Sequence, residues 1–315
     1  MDELLSFCPR RQKLKTTLSV GETESVPLWL IRGASAGPTL AVTTGVHGCE
    51  FVGAKTIGPF FDDLDPAAQY GSLIVLPLVN PWGFYAGAKQ VVPPDGKNLN
   101  REFPSSPDGT FTQRLAHTIE AQIYPDVDFL IDLHGGDINE DLTPLVFFPA
   151  AARLEVSARS REAACRLPVP YRVRSSTKNS LYGWAAQRGI PAILLELGAL
   201  GRWTPELVQR CQKSPRNLTD FLGMTGRAVS ANKTQRESLR AVYDESPADG
   251  FGVPTIPAGQ TVAASTLLGM LSELNGRTIQ EFRARFDATI MYYTTTLGVK
   301  RGDSLVAYAE FEENE

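Results

Sequence analysis

The sequence predicts an α/β fold with a mixed, largely parallel sheet that carries helices on both faces, followed by a small all-β C-terminal domain. Two observations lead to this prediction. Between about residues 38 and 235, short apolar runs alternate with longer segments of helical length and charge. After residue 236, the chain changes to short β-type runs with frequent Gly and Pro. Alternation of strands and helices is typical of a sheet with helices on both sides. We therefore divide the chain into domains 1–235 and 236–315.

The predicted strands of the first domain are four apolar runs, TLAVTTGV, SLIVLPLV, DFLIDLH and AILLELG. Their nearly continuous Val, Ile and Leu content favours burial on both faces of a sheet. The predicted helices are EFVGAKTIGPFFDDL, FTQRLAHTIEAQIY and TPELVQRCQKSPRNLTDFL. Ligands of such sheets bind beyond the carboxyl ends of the strands. Polar residues at these ends are therefore the first candidates for a functional site.

The second domain is predicted to consist of strands joined by tight turns. Asn275-Gly276 lies between two β-type runs, where a type I′ hairpin turn is expected. The segment resembles a lipoyl/biotinyl-like barrel-sandwich domain, whose carrier members bear a modified lysine on a hairpin. No lysine occurs between Lys233 and Lys300. We therefore expect a structural cap that shapes the cleft of the first domain.

Composition and charge exclude several classes of protein. The net charge of −4 argues against nucleic-acid binding, which needs a basic surface. No apolar run reaches the roughly 18 residues of a membrane-spanning helix, and the N-terminal stretch MDELLSFCPRRQKLK does not look like a secretory signal. The cysteines are scattered without disulfide-framework or metal-type spacing, which favours the reducing cytoplasm; they are Cys8, Cys49, Cys165 and Cys211. Whether the protein is a monomer or a homo-oligomer stays open.

Two histidines and one glutamate follow the predicted strands. His47 and Glu50 lie just after TLAVTTGV, and His134 ends DFLIDLH. Two imidazoles and one carboxylate, with a fourth position for water, form a recognised catalytic zinc set. Either histidine alone would more often be a capping or core residue, but both adjoin glycines at strand ends, which favours a metal site. His117 lies inside a predicted helix and is expected to be structural, and Cys49, between two proposed ligands, is expected to point elsewhere.

Glu196, near the end of the apolar run AILLELG, is the candidate general base. Burying a carboxylate there is costly unless the group is paired or functional. The structural alternative is a salt bridge with an arginine or lysine. Asn100 and Arg101, in VPPDGKNLNREFP, are candidates for binding a substrate carboxylate, because the guanidinium fork matches its two oxygens. The alternative is that Arg101 is an ordinary surface arginine in a polar loop.

Taken together and in this order, the motifs GVHGCE, NPWGF, VPPDGKNLNREFP, DLHGGD and LELG resemble those of the succinylglutamate desuccinylase/aspartoacylase family. This family is a branch of the zinc carboxypeptidase-like hydrolases, and the similarity covers about residues 38–225. It implies one zinc ion per chain, with His47, Glu50 and His134 as ligands and Glu196 as general base and acid.

The resemblance also bears on residues around the ligands. Asn100 and Arg101 match the carboxylate-binding pair of the family. Asn98 stands where many relatives have an aspartate that orients the first zinc histidine. In GFYAGAKQVVPPDG, similar enzymes usually have an arginine that steadies the oxyanion, whereas this chain has Gly87 and Lys89. Lys89 would supply the charge as a point donor without the planar fork.

The sequence therefore predicts a zinc-dependent deacylase that cleaves the amide of a small N-acyl amino acid or a related carboxylate-bearing amide. Its expected partner is a small-molecule substrate. We expect it to bind neither nucleic acid nor a membrane. Two alternatives stay open. One is a zinc carboxypeptidase that acts on short peptides, and the other is a non-catalytic binding protein that contains a metal.

Overall fold

The structure, a computed structural model, describes residues 4–313 and confirms a mixed α/β fold. Its strands, in chain order, are β1 (Gln12–Val20), β2 (Glu24–Arg32), β3 (Ser35–Thr44), β4 (Tyr70–Leu76), β5 (Phe129–His134), β6 (Glu140–Leu142), β7 (Leu145–Pro149), β8 (Tyr171–Ser175), β9 (Ala192–Glu196), β10 (Arg236–Glu245), β11 (Gly250–Pro254), β12 (Thr261–Val262), β13 (Leu267–Ser272), β14 (Thr278–Arg283), β15 (Ala288–Thr294), β16 (Gly298–Val299) and β17 (Ser304–Phe311).

Its α-helices are α1 (Phe51–Asp63), α2 (Pro81–Ala86), α3 (Phe111–Gln122), α4 (Leu154–Ala164), α5 (Leu181–Gln187) and α6 (Pro205–Phe221). The three segments predicted as helices correspond to α1, α3 and α6. No helix within residues 4–313 combines the length and the apolar character that crossing a membrane requires.

One large mixed sheet runs through most of the chain, in the order β1-β2-β4-β3-β5-β9-β7-β8-β10-β17-β15-β12. Its centre, β4-β3-β5-β9, is parallel, and so is β7-β8-β10. The pairs β1-β2, β2-β4 and β9-β7 are antiparallel. The four runs predicted as strands are the four strands of the parallel centre.

Apolar side chains pack on both faces of this centre. Successive residues of a strand point to opposite faces: Leu40 and Val42 pack with α1, α4 and α6, whereas Ala41 packs with α3 and α5. All three side chains are buried. Because the helices cover both faces, the carboxyl ends of the strands are left as the edge at which loops can build a site.

From β10 onward the described chain contains only strands and turns. Strands β14-β13-β11-β16 form a second sheet, from which Leu268 and Phe282 pack against Ile290 and Tyr308 of the large sheet. Strand β10 pairs with β8 in parallel and with β17 in the antiparallel sense. Hydrogen bonding therefore continues from the first predicted domain into the second.

The predicted hairpin at Asn275-Gly276 is present between β13 and β14, but the predicted type I′ turn is wrong. Such a turn needs positive φ at both central residues. Gly276 has φ +86°, whereas Asn275 does not have positive φ, and Gly276 N donates to the Glu273 carbonyl at 3.0 Å. The physical reason is local, because the Asn275 side-chain oxygen accepts from Arg277 N at 2.9 Å and fixes a different turn.

Candidate metal centre

The candidate site lies at the edge where the central strands β3, β5 and β9 end. These strands are parallel neighbours, with Thr44 opposite Leu133 and His134 opposite Glu196. The loops that leave them therefore emerge side by side. Glu50 is the residue immediately before α1, so the loop after β3 is only a few residues long.

His47, Glu50 and His134 form a compact cluster at this edge. One Glu50 oxygen lies 2.6 Å from His47 Nδ1, and the other lies 2.7 Å from His134 Nδ1. The two imidazole rings are nearly perpendicular, with centroids 4.9 Å apart. One potential ligand atom from each residue lies within 4.8 Å of the others, and no other group of three His, Cys, Asp or Glu residues in the described chain does so.

Two glycines allow the ligand loops to pack closely on neighbouring backbone. A Cβ on Gly48 would lie 2.3 Å from the carbonyl carbon of Gly83 in α2, and a Cβ on Gly135 would lie 2.5 Å from the carbonyl oxygen of Leu197. Any larger residue would push the loop, and the ligand next to it, away from the cluster. Glycine beside each histidine is thus required for contacts between backbones.

Asn98 contacts the outer nitrogen of His47. Its Oδ1 lies 3.2 Å from His47 Nε2 and also accepts from Asn100 N at 2.9 Å. Asn98 caps a short 3-10 helix, Leu99–Arg101, and this cap fixes the position of the amide. Contacts of this kind set the ring orientation and the tautomer of a metal-ligating histidine.

Asp132 plays the corresponding part for His134, although it was not among the residues predicted from the sequence. Its Oδ2 lies 3.0 Å from His134 Nε2, and its Oδ1 accepts from Thr43 Oγ1 at 2.7 Å. The side chain is fully buried. The signal was present in the run DFLIDLH, where an acid interrupts an apolar strand two residues before a proposed ligand and hence on the same face.

The charges of the cluster reinforce one another. Burial would raise the pKa of Glu50, but His134 and His47 outweigh burial and hold it at about 2. Burial would lower the pKa of His134, but Asp132 and Glu50 raise it well above its ordinary value. Glu50 is therefore held as a carboxylate, which is the form that binds a cation.

The residues present fit a zinc ion. Zinc accepts imidazole nitrogen and carboxylate oxygen at about 2.0–2.2 Å. Both Nδ1 atoms face the same carboxylate, so the three donors converge on one point. Cys49 lies outside this set, because its Sγ donates to the Gly87 carbonyl at 3.2 Å.

Glu196 lies beside the cluster at the end of β9. It is half-buried and sits opposite His134 on the adjacent parallel strand, and adjacent strands are about 4.8 Å apart. Burial and the carboxylates Glu50 and Glu140 raise its pKa well above the ordinary value. Within residues 4–313, Glu196 has no Arg, Lys or His nitrogen within the 4.0 Å of an ion pair, which removes the salt bridge considered as its structural alternative.

Asn100 and Arg101 are placed differently from each other. Asn100 is buried, and its Oδ1 accepts from Leu181 N at 2.8 Å, which leaves the amide NH2 to donate elsewhere. Arg101 is exposed, and one guanidinium nitrogen donates to the Asn100 carbonyl at 2.8 Å. In the described part of the chain no carboxylate pairs with Arg101, so its guanidinium is available to a ligand.

Lys89 and His117 complete the predicted residues. Lys89 is half-buried. Its positive charge lowers the pKa of Cys49 and of Asp137, against the effect of burial on each group. His117 lies within α3 and outside the ligand cluster.

The C-terminal strands add aromatic residues to the surroundings of the site, which the sequence analysis also missed. Tyr292 of β15 lies opposite Leu142 of β6, the strand that follows the loop after His134. Burial, followed by Tyr243, Glu140 and Glu196, raises the pKa of Tyr292 well above its ordinary value. The second β region thus borders the acidic side of the cleft.

Comparison with known proteins gives consistent matches. The sequence model of the family described as the succinylglutamate desuccinylase/aspartoacylase catalytic domain matches residues 36–222. The chain is 26% identical over 298 residues to the N-alpha-acetyl-L-2,4-diaminobutyric acid deacetylase of Halomonas elongata, covering 92% of this chain and 86% of that protein.

Solved structures with the same fold include two bacterial proteins. A succinylglutamate desuccinylase/aspartoacylase from Rhodobacter sphaeroides superposes with a TM-score of 0.84 at 25% identity, over 96% of each chain. The ectoine utilization protein of Ruegeria pomeroyi, in a product-bound structure, also gives a TM-score of 0.84, at 24% identity over 96% of this chain and 97% of that one.

Proposed function

The chain belongs to the succinylglutamate desuccinylase/aspartoacylase family, and from that premise we propose that it is a zinc-dependent deacylase. Its substrate is a small N-acyl amino acid, or a related amide that bears a carboxylate, and the bond cleaved is a non-peptide linear amide. The observation that carries the proposal is the position of Glu196, opposite His134 and beside the three converging donors. The name of the Halomonas relative, a deacetylase of an acylated amino acid, supports the same chemistry.

We assign one zinc ion per chain to His47, Glu50 and His134. When bound, zinc polarises the amide carbonyl and lowers the pKa of the attacking water. Asn98 holds the ring of His47, and Asp132 holds that of His134, through the contacts described above.

The remaining residues bind the substrate and move the proton. The Asn100 amide and the Arg101 guanidinium hold the substrate carboxylate, which places the amide bond at the strand ends. Glu196 accepts a proton from water as the water oxygen bonds to the amide carbon. It then gives that proton to the amide nitrogen as the carbon–nitrogen bond breaks, so the products are an amine and a carboxylic acid, which releases its remaining proton to become a carboxylate. The charge of Lys89 steadies the oxygen that becomes negative.

We further propose that residues 1–235 form the hydrolase domain around its largely parallel sheet, and that 236–315 form a barrel-sandwich cap. The apolar contact between the two C-terminal sheets supports the cap. The pairing of β15 with β6 supports a role in shaping the cleft, because β6 follows the loop after His134. All four cysteines are free thiols, which supports a cytoplasmic location.

The experiment that tests the function is Glu196→Gln, measured with zinc-loaded protein on N-acetyl, N-succinyl and N-formyl amino acids. The variant should keep its zinc and its thermal stability but lose about 10²- to 10⁴-fold in kcat, because an amide cannot accept the proton. Glu245→Gln, an exposed glutamate at the end of β10, is the matched control and should retain wild-type kcat.

Other results would redirect the assignment. Near-normal kcat for Glu196→Gln would require another base. Turnover of short peptides alone would favour a carboxypeptidase, and zinc without turnover on any of these amides would favour a binding protein.

A further inference from the structure

The segment that follows His134 joins the proposed metal centre to the C-terminal strands. We define residues 135–143 as the bridge, which includes β6. One edge of the bridge lies against the loop after Glu196, where Gly136 N donates to the Gly198 carbonyl at 2.8 Å. The proposed zinc ligand and the proposed general base are thus each followed by a loop, and these two loops are hydrogen-bonded to each other.

Two residues of the loop after Glu196 have left-handed backbone and donate to the bridge. Leu200 has φ +58°, and its N donates to the Glu140 carbonyl at 2.9 Å. Gly201 also has φ +58°, and its N donates to the Gly136 carbonyl at 3.2 Å. Left-handed backbone is unfavourable for leucine because of its Cβ, and it persists only where the surrounding structure fixes it. Since the bridge supplies both acceptors, a bridge that shifts would release this loop.

The opposite edge of the bridge is held by β15 of the C-terminal region. Strand β6 pairs with β15 in the antiparallel sense. Before this pairing, Thr295 N donates to the Asn139 carbonyl at 2.7 Å. After it, Thr143 N donates to the Met291 carbonyl at 2.8 Å. The second half of the bridge is therefore attached along its length to the C-terminal strands.

A contact between side chains extends this attachment beyond β15. The amide NH2 of Asn139 donates to the hydroxyl of Thr296. Asn139 is half-buried, whereas Thr296 is exposed. The Asn139 Oδ1 is buried and has no hydrogen-bond partner in the described chain. Because buried amides are normally hydrogen-bonded, the bond to Thr296 is what compensates for the position of Asn139.

The strands next to the bridge close into a ring. Strand β7 begins two residues after the end of β6, and the pairings β7-β8, β8-β10, β10-β17, β17-β15 and β15-β6 complete the ring. Buried side chains from four of these strands pack against one another, namely Leu145, Val173, Met291 and Ala307. Closure leaves β15 without a free edge along which it could shift. Leu145 also lies opposite Glu196 in β9, so the ring extends to the general base.

We propose that Asn139 and Thr296 are positioning residues, which act through the bridge to fix His134 relative to Glu196. The inference rests on the proposed function for the roles of His134 and Glu196, and it requires no contact of either positioning residue with the substrate. Metal binding and proton transfer both depend on geometry, and a displacement of about 1 Å can cost about 10²-fold in rate. Loss of the Asn139–Thr296 bond alone leaves the pairing of β6 with β15 in place, so its effect should be smaller than this.

The test uses Asn139→Ala and Thr296→Val, each of which deletes one partner of the bond. Three quantities are compared with the wild-type protein: kcat on N-acetyl, N-succinyl and N-formyl amino acids, zinc affinity by competition with a chelator, and hydrogen exchange of residues 197–202. Each variant should lower kcat by about fivefold to tenfold, the factor expected from one neutral hydrogen bond, and should weaken zinc binding. Exchange of residues 197–202 should become faster with and without zinc, because Leu200 and Gly201 lose their fixed acceptors.

Two further substitutions separate positioning from stability. Thr296→Ser keeps the hydroxyl and should keep wild-type kcat, zinc affinity and exchange. Thr255→Val is the matched control, because it removes a single hydrogen bond between C-terminal strands outside the ring, from Thr255 Oγ1 to the Leu267 carbonyl at 2.8 Å. It should lower the unfolding temperature as Thr296→Val does but leave the other three quantities unchanged. The double variant Asn139→Ala/Thr296→Val should lose no more kcat than Asn139→Ala, because both substitutions delete the same bond.

The outcomes separate this inference from the proposed function. Wild-type kcat and zinc affinity in both Asn139→Ala and Thr296→Val overturn the inference, even if their unfolding temperatures fall, and so does an equal loss of kcat in Thr255→Val. If the wild-type protein turns over none of the amides, the proposed function is wrong, and zinc affinity and the exchange of residues 197–202 decide the inference. If Asn139→Ala does not fold, Thr296→Val carries the test, because Thr296 is exposed.

Discussion

Asp132→Asn should weaken zinc binding while leaving the fold in place. Asp132 is fully buried, lies 3.0 Å from His134 Nε2 and accepts from Thr43 Oγ1 at 2.7 Å. Asparagine has nearly the same shape. Its amide oxygen can face His134 while its NH2 donates to the Thr43 hydroxyl, which is able to accept. The substitution therefore keeps both contacts and removes the negative charge.

The size of the effect follows from that lost charge. Asp132 is the first of the two carboxylates that raise the pKa of His134, and it increases the basicity of the ring as a ligand. Mutation of a residue that contacts the outer nitrogen of a metal-ligating histidine typically costs about 10- to 100-fold in metal affinity, or about 1.4–2.7 kcal/mol. Thr43→Val removes a single hydrogen bond to Asp132 and keeps the charge, so it should cost only a few-fold.

The assay is competition for zinc with a chromophoric chelator, together with thermal unfolding of each variant. Wild-type zinc affinity in Asp132→Asn, or a loss smaller than that of Thr43→Val, would refute the reasoning. In that case His134 is oriented by packing and not by the Asp132 carboxylate.

Three other predictions concern the ligands, the substrate carboxylate and the general base. His134→Ala should lose most of the bound zinc by elemental analysis, whereas His117→Ala, a histidine outside the cluster, should keep one ion per chain; unchanged metal in His134→Ala removes this residue from the site. Arg101→Lys should lower kcat/KM by about tenfold to a hundredfold, because lysine keeps the charge but loses the planar fork. For substrates whose carboxylate is converted to an amide, kcat/KM should fall little further in that variant. An equal fall in kcat/KM for the acid and the amide would show that Arg101 does not bind the carboxylate. The acidic limb of kcat/KM should lie above pH 4.5, the ordinary pKa of a glutamate, because burial and neighbouring carboxylates raise the pKa of Glu196, which must be deprotonated to accept a proton; a limb at or below that pH would contradict Glu196 as the base.

The amino-acid sequence was sufficient for the main architecture and for the position of the ligand candidates. Near-continuous apolar runs can be buried only in the middle of a sheet covered on both faces, and the four such runs are the parallel centre β4-β3-β5-β9. Parallel strands end at one edge, so polar residues directly after them must meet there. For this reason His47, Glu50 and His134 could be expected to lie together although they come from separate segments.

The tertiary structure alone decided how these groups are oriented and what surrounds them. The hydrogen bonds of Asp132, and the lack of an ion pair for Glu196 within residues 4–313, depend on which distant segments come close to each side chain. The same holds for the antiparallel pair β9-β7 and for β15 beside β6. The sequence pattern of a helix or strand indicates which of its faces is apolar, because that face is set by the residues of the element itself. Strand order, side-chain direction and the sum of charges at a point arise from the packing of the whole chain, so only the folded structure determines them.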